Sequence, residues 1–117
     1  HFEKAGLPVD LPNDCELKMW DKFLLSSCYS IFAIARAPFD VGSAVAPFKE
    51  VLRKGMEETN AVAKAYGIEL PANAVTDYLE GFSKAPPNAT CSTLRDFVDG
   101  VPTEAGGLSG AVVRLGA

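Results

Sequence analysis

A 117-residue chain, 48% hydrophobic and 22% charged, has the size and composition of one globular domain. Its formal net charge of −4 and scattered basic residues argue against a nucleic-acid or anionic-membrane surface, both of which need clustered Lys and Arg. No apolar run nears the ~20 residues of a membrane span, and "HFEKAGLPVD" lacks a signal-peptide layout.

Residues 1–13 read as a strand-like connector, with "GLPVDLP" alternating between two prolines. Asn13, with Glu16 three positions on, has the spacing of a capping box. From there "CELKMWDKFLLSSCYSIFAIAR" runs to Arg36 without Gly or Pro, which predicts one long helix. Its second half is apolar nearly all round, as in a buried central helix. Lys22, Ser26 and Ser30, spaced four apart, form a polar stripe along it. Pro38 and Gly42 are expected to break the chain.

A second helix is expected from about Pro47 to Tyr66, on the spacing of Phe48, Val51, Leu52, Gly55, Thr59, Val62 and Ala63, with Gly67 as its stop. "PANAVTDYLEGFSK" predicts a third, with Pro71 in its first turn and Val75, Tyr78, Leu79 and Phe82 inward. Residues 92–99 predict a short helix carrying Leu94, Phe97 and Val98. A last one is expected over 104–115, weakened by Gly106, Gly107 and Gly110. Nothing pairs as strands, so the fold class is all-α.

Three widely spaced cysteines without a CxxC fit reduced thiols and a cytoplasmic setting better than a disulfide frame. With His1 the lone histidine, no metal site is expected. Chemistry then rests on a few side chains. Lys22 can snorkel to water or line a cleft opposite a carboxylate. Glu104 suits the first turn of a helix, and Ser92 an N-cap, unless either faces a ligand.

A resemblance bears on that choice. "MWDKFLLSSCYSIFAI" resembles the W-x-K segment that opens the C-terminal domain of ketopantoate reductases, NADP-dependent 2-dehydropantoate 2-reductases. "ETNAVAKAYGIEL" is similar to that family's E-x-x-x-V-A-x-A-x-G segment, and "CSTLRDFVDGVPTEAGGLSGAVVRLG" to its Ser-Met to Pro-Thr-Glu to V-V-R-L-G signature. The three lie in family order and cover nearly all of residues 14–117.

The resemblance implies the helical domain of the 6-phosphogluconate dehydrogenase C-terminal-like type. Residues 1–13 would be the linker from a Rossmann domain that binds NADP; no GxGxxG occurs here, so residues 14–117 are expected to be a truncated helical domain, inactive alone. It implies Lys22 as proton donor and carbonyl polariser in reducing ketopantoate to pantoate, a step of pantothenate biosynthesis. Glu104 and Ser92 would hold substrate, as would Ser26 and Ser30, which stand where the family usually has Asn.

Other departures are Thr93 for Met, Val101 for Arg, and Ala105-Gly106 for Ile-Asp. They imply a changed substrate grip, hence another 2-keto acid, or a non-catalytic helical dimerisation domain of a diverged paralogue. Expected partners are the keto acid, the chain's own Rossmann domain and a second copy in a homodimer, with no nucleic acid and no membrane.

Overall fold

The computed structural model describes residues 5–6 and 14–117; Asn13 and most of the expected connector lie outside them. Helix α1 (Cys15–Ser26) begins where the Asp14 carboxylate accepts the Leu17 amide at 2.8 Å. The cap is therefore Asp14 rather than Asn13, because its side chain is the one that reaches the third amide of the helix.

The single helix expected to reach Arg36 is two. Helix α2 (Tyr29–Ala35) follows α1 across a break at Ser27–Cys28. There the ladder tightens: the Cys28 amide goes to Leu25 O at 3.4 Å and the Ile31 amide to Cys28 O at 3.0 Å, three residues back instead of four. The cause is polar. The buried Ser27 hydroxyl lies 3.0 Å from Leu24 O and 2.9 Å from the Thr59 hydroxyl of the next long helix. A serine that competes for helix carbonyls in this way bends the rod. Arg36 closes α2 at φ 51°, in the left-handed region.

The expected break at Pro38 and Gly42 is itself a helix, α3 (Phe39–Ala44). Pro38 stands at its N-cap, where a missing N–H costs nothing. Gly42 is buried because a Cβ there would come within 2.7 Å of the Phe48 ring. Helix α4 (Ala46–Ala65) follows with Pro47 in its first turn. It ends where Gly67, at φ 81°, turns the chain, with the Ile68 amide bonded to Ala63 O at 3.0 Å. Leu52, Met56, Thr59, Val62 and Ala63 are its buried stripe, whereas Val51 and Tyr66 face outward.

Helix α5 (Ala74–Ser83) starts three residues after Pro71, which closes a turn by accepting the Ala74 amide at 2.9 Å. Helix α6 (Ser92–Asp99) spans the expected residues and ends at Gly100, φ 71°. The last expected helix is split. Glu104–Gly106 form a 3-10 turn, and α7 (Ser109–Leu115) follows after Leu108 leaves helical geometry. Two adjacent glycines, each costing about 1 kcal/mol in a helix, make that interruption cheap.

No strand occurs among the described residues, and the all-α class stands. The core is built on Phe32. Its ring meets those of Phe39, Phe48 and Phe82 edge-on at centroid distances of 4.9, 5.1 and 4.8 Å. Leu24 and Cys28 join it from the α1–α2 rod, Leu52 and Met56 from α4, and Leu79 from α5. A second cluster of Ala33, Cys91 and Leu94 seals α2 against α6. The rod is not buried all round: Ile34 is 75% exposed and Met19 72%. One face of α1 is thus left for a site.

Candidate functional site

With Leu24 and Cys28 turned into the core, helical spacing puts Met19, Lys22, Phe23 and Ser26 on another face of α1. Trp20 stands beside them, edge-on to Phe23 at 5.6 Å and 6.0 Å from the ring of Tyr66 at the end of α4. With Leu115 of α7 these residues line an open cleft of about 450 Å³, within the range of small-molecule sites. Among the described residues its lining is mostly apolar, and Lys22 is the one charged group.

Around the cleft the predicted polar residues are placed unequally. Ser26 lines it, with its hydroxyl 3.5 Å from Phe23 O, at the limit of a hydrogen bond. Ser30 does not; the break at Ser27–Cys28 takes it off the stripe of Lys22 and Ser26 and puts it on α2. Its hydroxyl is hydrogen-bonded to that of Ser109, at the start of α7. Ser109 in turn donates to Ser27 O at 2.6 Å. A hydroxyl has one hydrogen. Since that of Ser109 goes to Ser27 O, Ser30 must donate to Ser109 and keeps only lone pairs for anything else.

Glu104 is exposed and does not line the Lys22 cleft. Its backbone oxygen holds the turn, accepting the amides of Gly107 at 2.8 Å and Leu108 at 3.0 Å. Thr103 caps the turn, and Arg114 Nη2 donates to Gly106 O at 2.9 Å. Through Ser109, five residues on, the acid's turn is tied to the α1–α2 break. Lys22 and Glu104 form no ion pair.

Ser92 is the first residue of α6 and is exposed; the N-cap position belongs to Cys91. Cys91 Sγ lies 3.8 Å from Tyr29 O, which sets the start of α6 alongside the start of α2, next to Ser30. The segment that begins α6, with Ser92, and the start of α7 therefore meet the beginning of α2, where Ser30 lies, while Lys22 and Ser26 lie on the cleft face of α1. Ser109 and Leu115 complete this arrangement without having been singled out in the sequence. Nothing in their spacing marks them, because each acquires its place from the packing of α7 on the rest of the fold. Trp20 was marked in the sequence by the W-x-K spacing.

Elsewhere, titratable groups are perturbed by burial. Desolvation pushes the Cys28 thiol up to about 11. Tyr78 is raised to about 12, first by desolvation and then by its hydrogen bond to Asp21 and that carboxylate's charge. Neither lines the cleft. No cluster of three or more His, Cys, Asp or Glu able to hold a metal occurs among the described residues.

Residues 14–117 match the family described as ketopantoate reductase PanE/ApbA C terminal. The chain belongs to that family. A 2-dehydropantoate 2-reductase from Pyrobaculum aerophilum is 32% identical over 117 residues, covering 98% of this chain and 41% of the relative. The ketopantoate reductase C-terminal fold also appears among solved structures. That of a PanE/ApbA family ketopantoate reductase from Ralstonia eutropha JMP134 superimposes with TM-score 0.87 at 31% identity, covering 98% of this chain and 39% of that one. A 2-dehydropantoate 2-reductase from Methylococcus capsulatus gives 0.81 at 28% identity, covering 98% and 37%. The dimeric ketopantoate reductase from Staphylococcus aureus, 20% identical, shares the fold at 0.83, over 93% and 38%. The chain thus spans about two fifths of each of these proteins.

Proposed function

We propose that this chain is the substrate-side domain of a 2-keto-acid reductase, with Lys22 as its proton donor. The observation that carries the reading is the position of Lys22, the one charge among the described residues on the wall of an open cleft, in a chain of the ketopantoate reductase C-terminal family. When hydride reaches a keto carbon, the carbonyl oxygen gathers negative charge. An ammonium beside it stabilises that charge and then delivers the proton that makes the hydroxyl. Glu104 and Ser92 hold the substrate, Ser26 does so from within the cleft, and Ser30 offers lone pairs.

The hydride donor would be NADPH, bound by a preceding Rossmann domain. The residues described here do not fit that cofactor: they contain no strand leading into a glycine-rich turn. Gly106 and Gly107 sit in a 3-10 turn whose amide at Gly107 is already bonded to Glu104 O. The 117-residue chain is therefore inactive by itself, and its function is to bind and orient the keto acid and to move one proton.

Lys22→Ala in the full-length protein is the test. Turnover should fall about a hundredfold to ten-thousandfold, the usual contribution of a positioned acid, with circular dichroism unchanged. Undiminished turnover would remove Lys22 from the mechanism.

A second role, pairing with another copy, is favoured by the apolar side chains left outside. Ile34 is 75% exposed, Val113 73% and Val41 53%. It is compatible with catalysis.

A further inference from the structure

The cleft is unequal in its chemistry, and that inequality speaks to the substrate. Among the described residues, four of the six lining side chains, Met19, Trp20, Phe23 and Leu115, are apolar. Of the two polar ones, Lys22 is a cation and Ser26 spends its hydrogen weakly, on Phe23 O at 3.5 Å. A ligand can thus set one negatively polarised end against Lys22 and Ser26, but the rest of it meets hydrocarbon and indole. The next hydroxyl along the rod, Ser30, gives its hydrogen to Ser109, and Ser109 gives its own to Ser27 O. Both are spent inside the protein, and neither can donate to a substrate oxygen without dismantling the link that fastens α7 to the α1–α2 break.

We infer that the wall formed by Trp20, Phe23, Met19 and Leu115 is a subsite for an apolar substrate side chain, which makes the substrate class 2-keto acids with branched aliphatic or aromatic substituents and no side-chain hydroxyl. The inference rests on the reductase reading and narrows it. Its physical basis is desolvation: a substituent hydroxyl entering this wall gives up water and meets only apolar side chains among the described residues in return, whereas a methyl or phenyl group gains by burial. A hydrophobic wall rejects an added hydroxyl only moderately, by up to about a hundredfold, which sets the scale to look for.

The experiment uses the full-length protein with NADPH. It compares kcat/KM for pyruvate, the keto acids of valine, leucine and phenylalanine, and ketopantoate, which carries a hydroxyl. Leucine's keto acid should exceed ketopantoate by about tenfold to a hundredfold. Trp20→Ala should lower the leucine-to-pyruvate ratio of kcat/KM about tenfold, through KM. Met19→Ser, at a residue 72% exposed and so no threat to the core, should lower the same ratio in the same direction.

Preference for ketopantoate, or ratios unmoved in both variants, would overturn the subsite while leaving the reductase reading intact. Failure of the wild-type protein to reduce any keto acid would overturn the reductase reading and this inference together.

Discussion

Cys28 shows how one side chain takes its chemistry from burial. The residue is 1% exposed and its sulfur lies 3.9 Å from Leu52 O, in a place where a thiolate would be desolvated. Cys91 is buried as well and its thiol is also raised, while Cys15 stands exposed at the start of α1. A disulfide-forming reagent should therefore modify one thiol quickly in the native protein and the other two only at the rate of unfolding. Mass spectrometry of the digested product should place the fast label on Cys15. The same burial has a consequence at alkaline pH. Both Cys28 and Tyr78 are raised in the folded state, from ordinary values of 9.0 and 10.0 to about 11 and about 12. Between those limits the folded chain holds protons that the unfolded chain has lost. The stabilisation is complete below about pH 9 and drains away as pH rises through 11 and 12. Urea midpoints should be level from neutral pH to about 9 and then fall. In Tyr78→Phe the decline should lose its upper part, and near-ultraviolet tyrosinate absorbance should lose its last-rising component.

At the scale of elements, the break between α1 and α2 has the most consequences. It lets Ser27 reach Thr59 on α4, and it exposes Ser27 O to Ser109 on α7, so three helices meet at one serine. Thr59→Val keeps the shape and removes one buried hydroxyl. Ser27 can still donate to Leu24 O at 3.0 Å, so the cost should be near 1 kcal/mol by denaturant unfolding. Phe32→Ala is a harsher change. It empties the point where four aromatic rings converge, and about 3–5 kcal/mol should be lost. Set against the roughly 5–15 kcal/mol available to a domain, that loss brings the chain close to unfolding at ambient temperature. The split of the last helix belongs here too, since it leaves Glu104 in a 3-10 turn that Arg114 of α7 holds through Gly106 O.

For the whole molecule, the division of labour is the main point. Helices supply a cleft, a cation and a set of hydroxyls, and nothing described here cradles a dinucleotide. The 117-residue chain should accordingly show no NADPH oxidation with any keto acid, measured by the loss of nicotinamide absorbance. Activity above the buffer rate would show that the cofactor finds a site within these helices. The exposed Met19 and Leu115 at the cleft, together with Ile34 and Val113, leave more apolar surface outside than a single core requires.

Several features were legible in the sequence because they depend on neighbours only a few residues away. The all-α class follows from periodicity. The stop of α4 at Gly67 and the extent of α6 follow from local turn chemistry, whereas the roles of Lys22, Ser26, Ser30, Ser92 and Glu104 are only implied by motif resemblance. Other features depended on partners distant in the chain. The rod breaks because Thr59, thirty-two residues from Ser27, supplies a second partner for its hydroxyl. Ser30 leaves the cleft for Ser109, seventy-nine residues on, an exchange that helical spacing cannot express. The cleft expected to set Lys22 opposite a carboxylate has Lys22 on its wall, and Glu104 is not among the described residues that line it. Local propensity decides which segments become helices. Where a hydroxyl spends its single hydrogen is decided only when the helices pack.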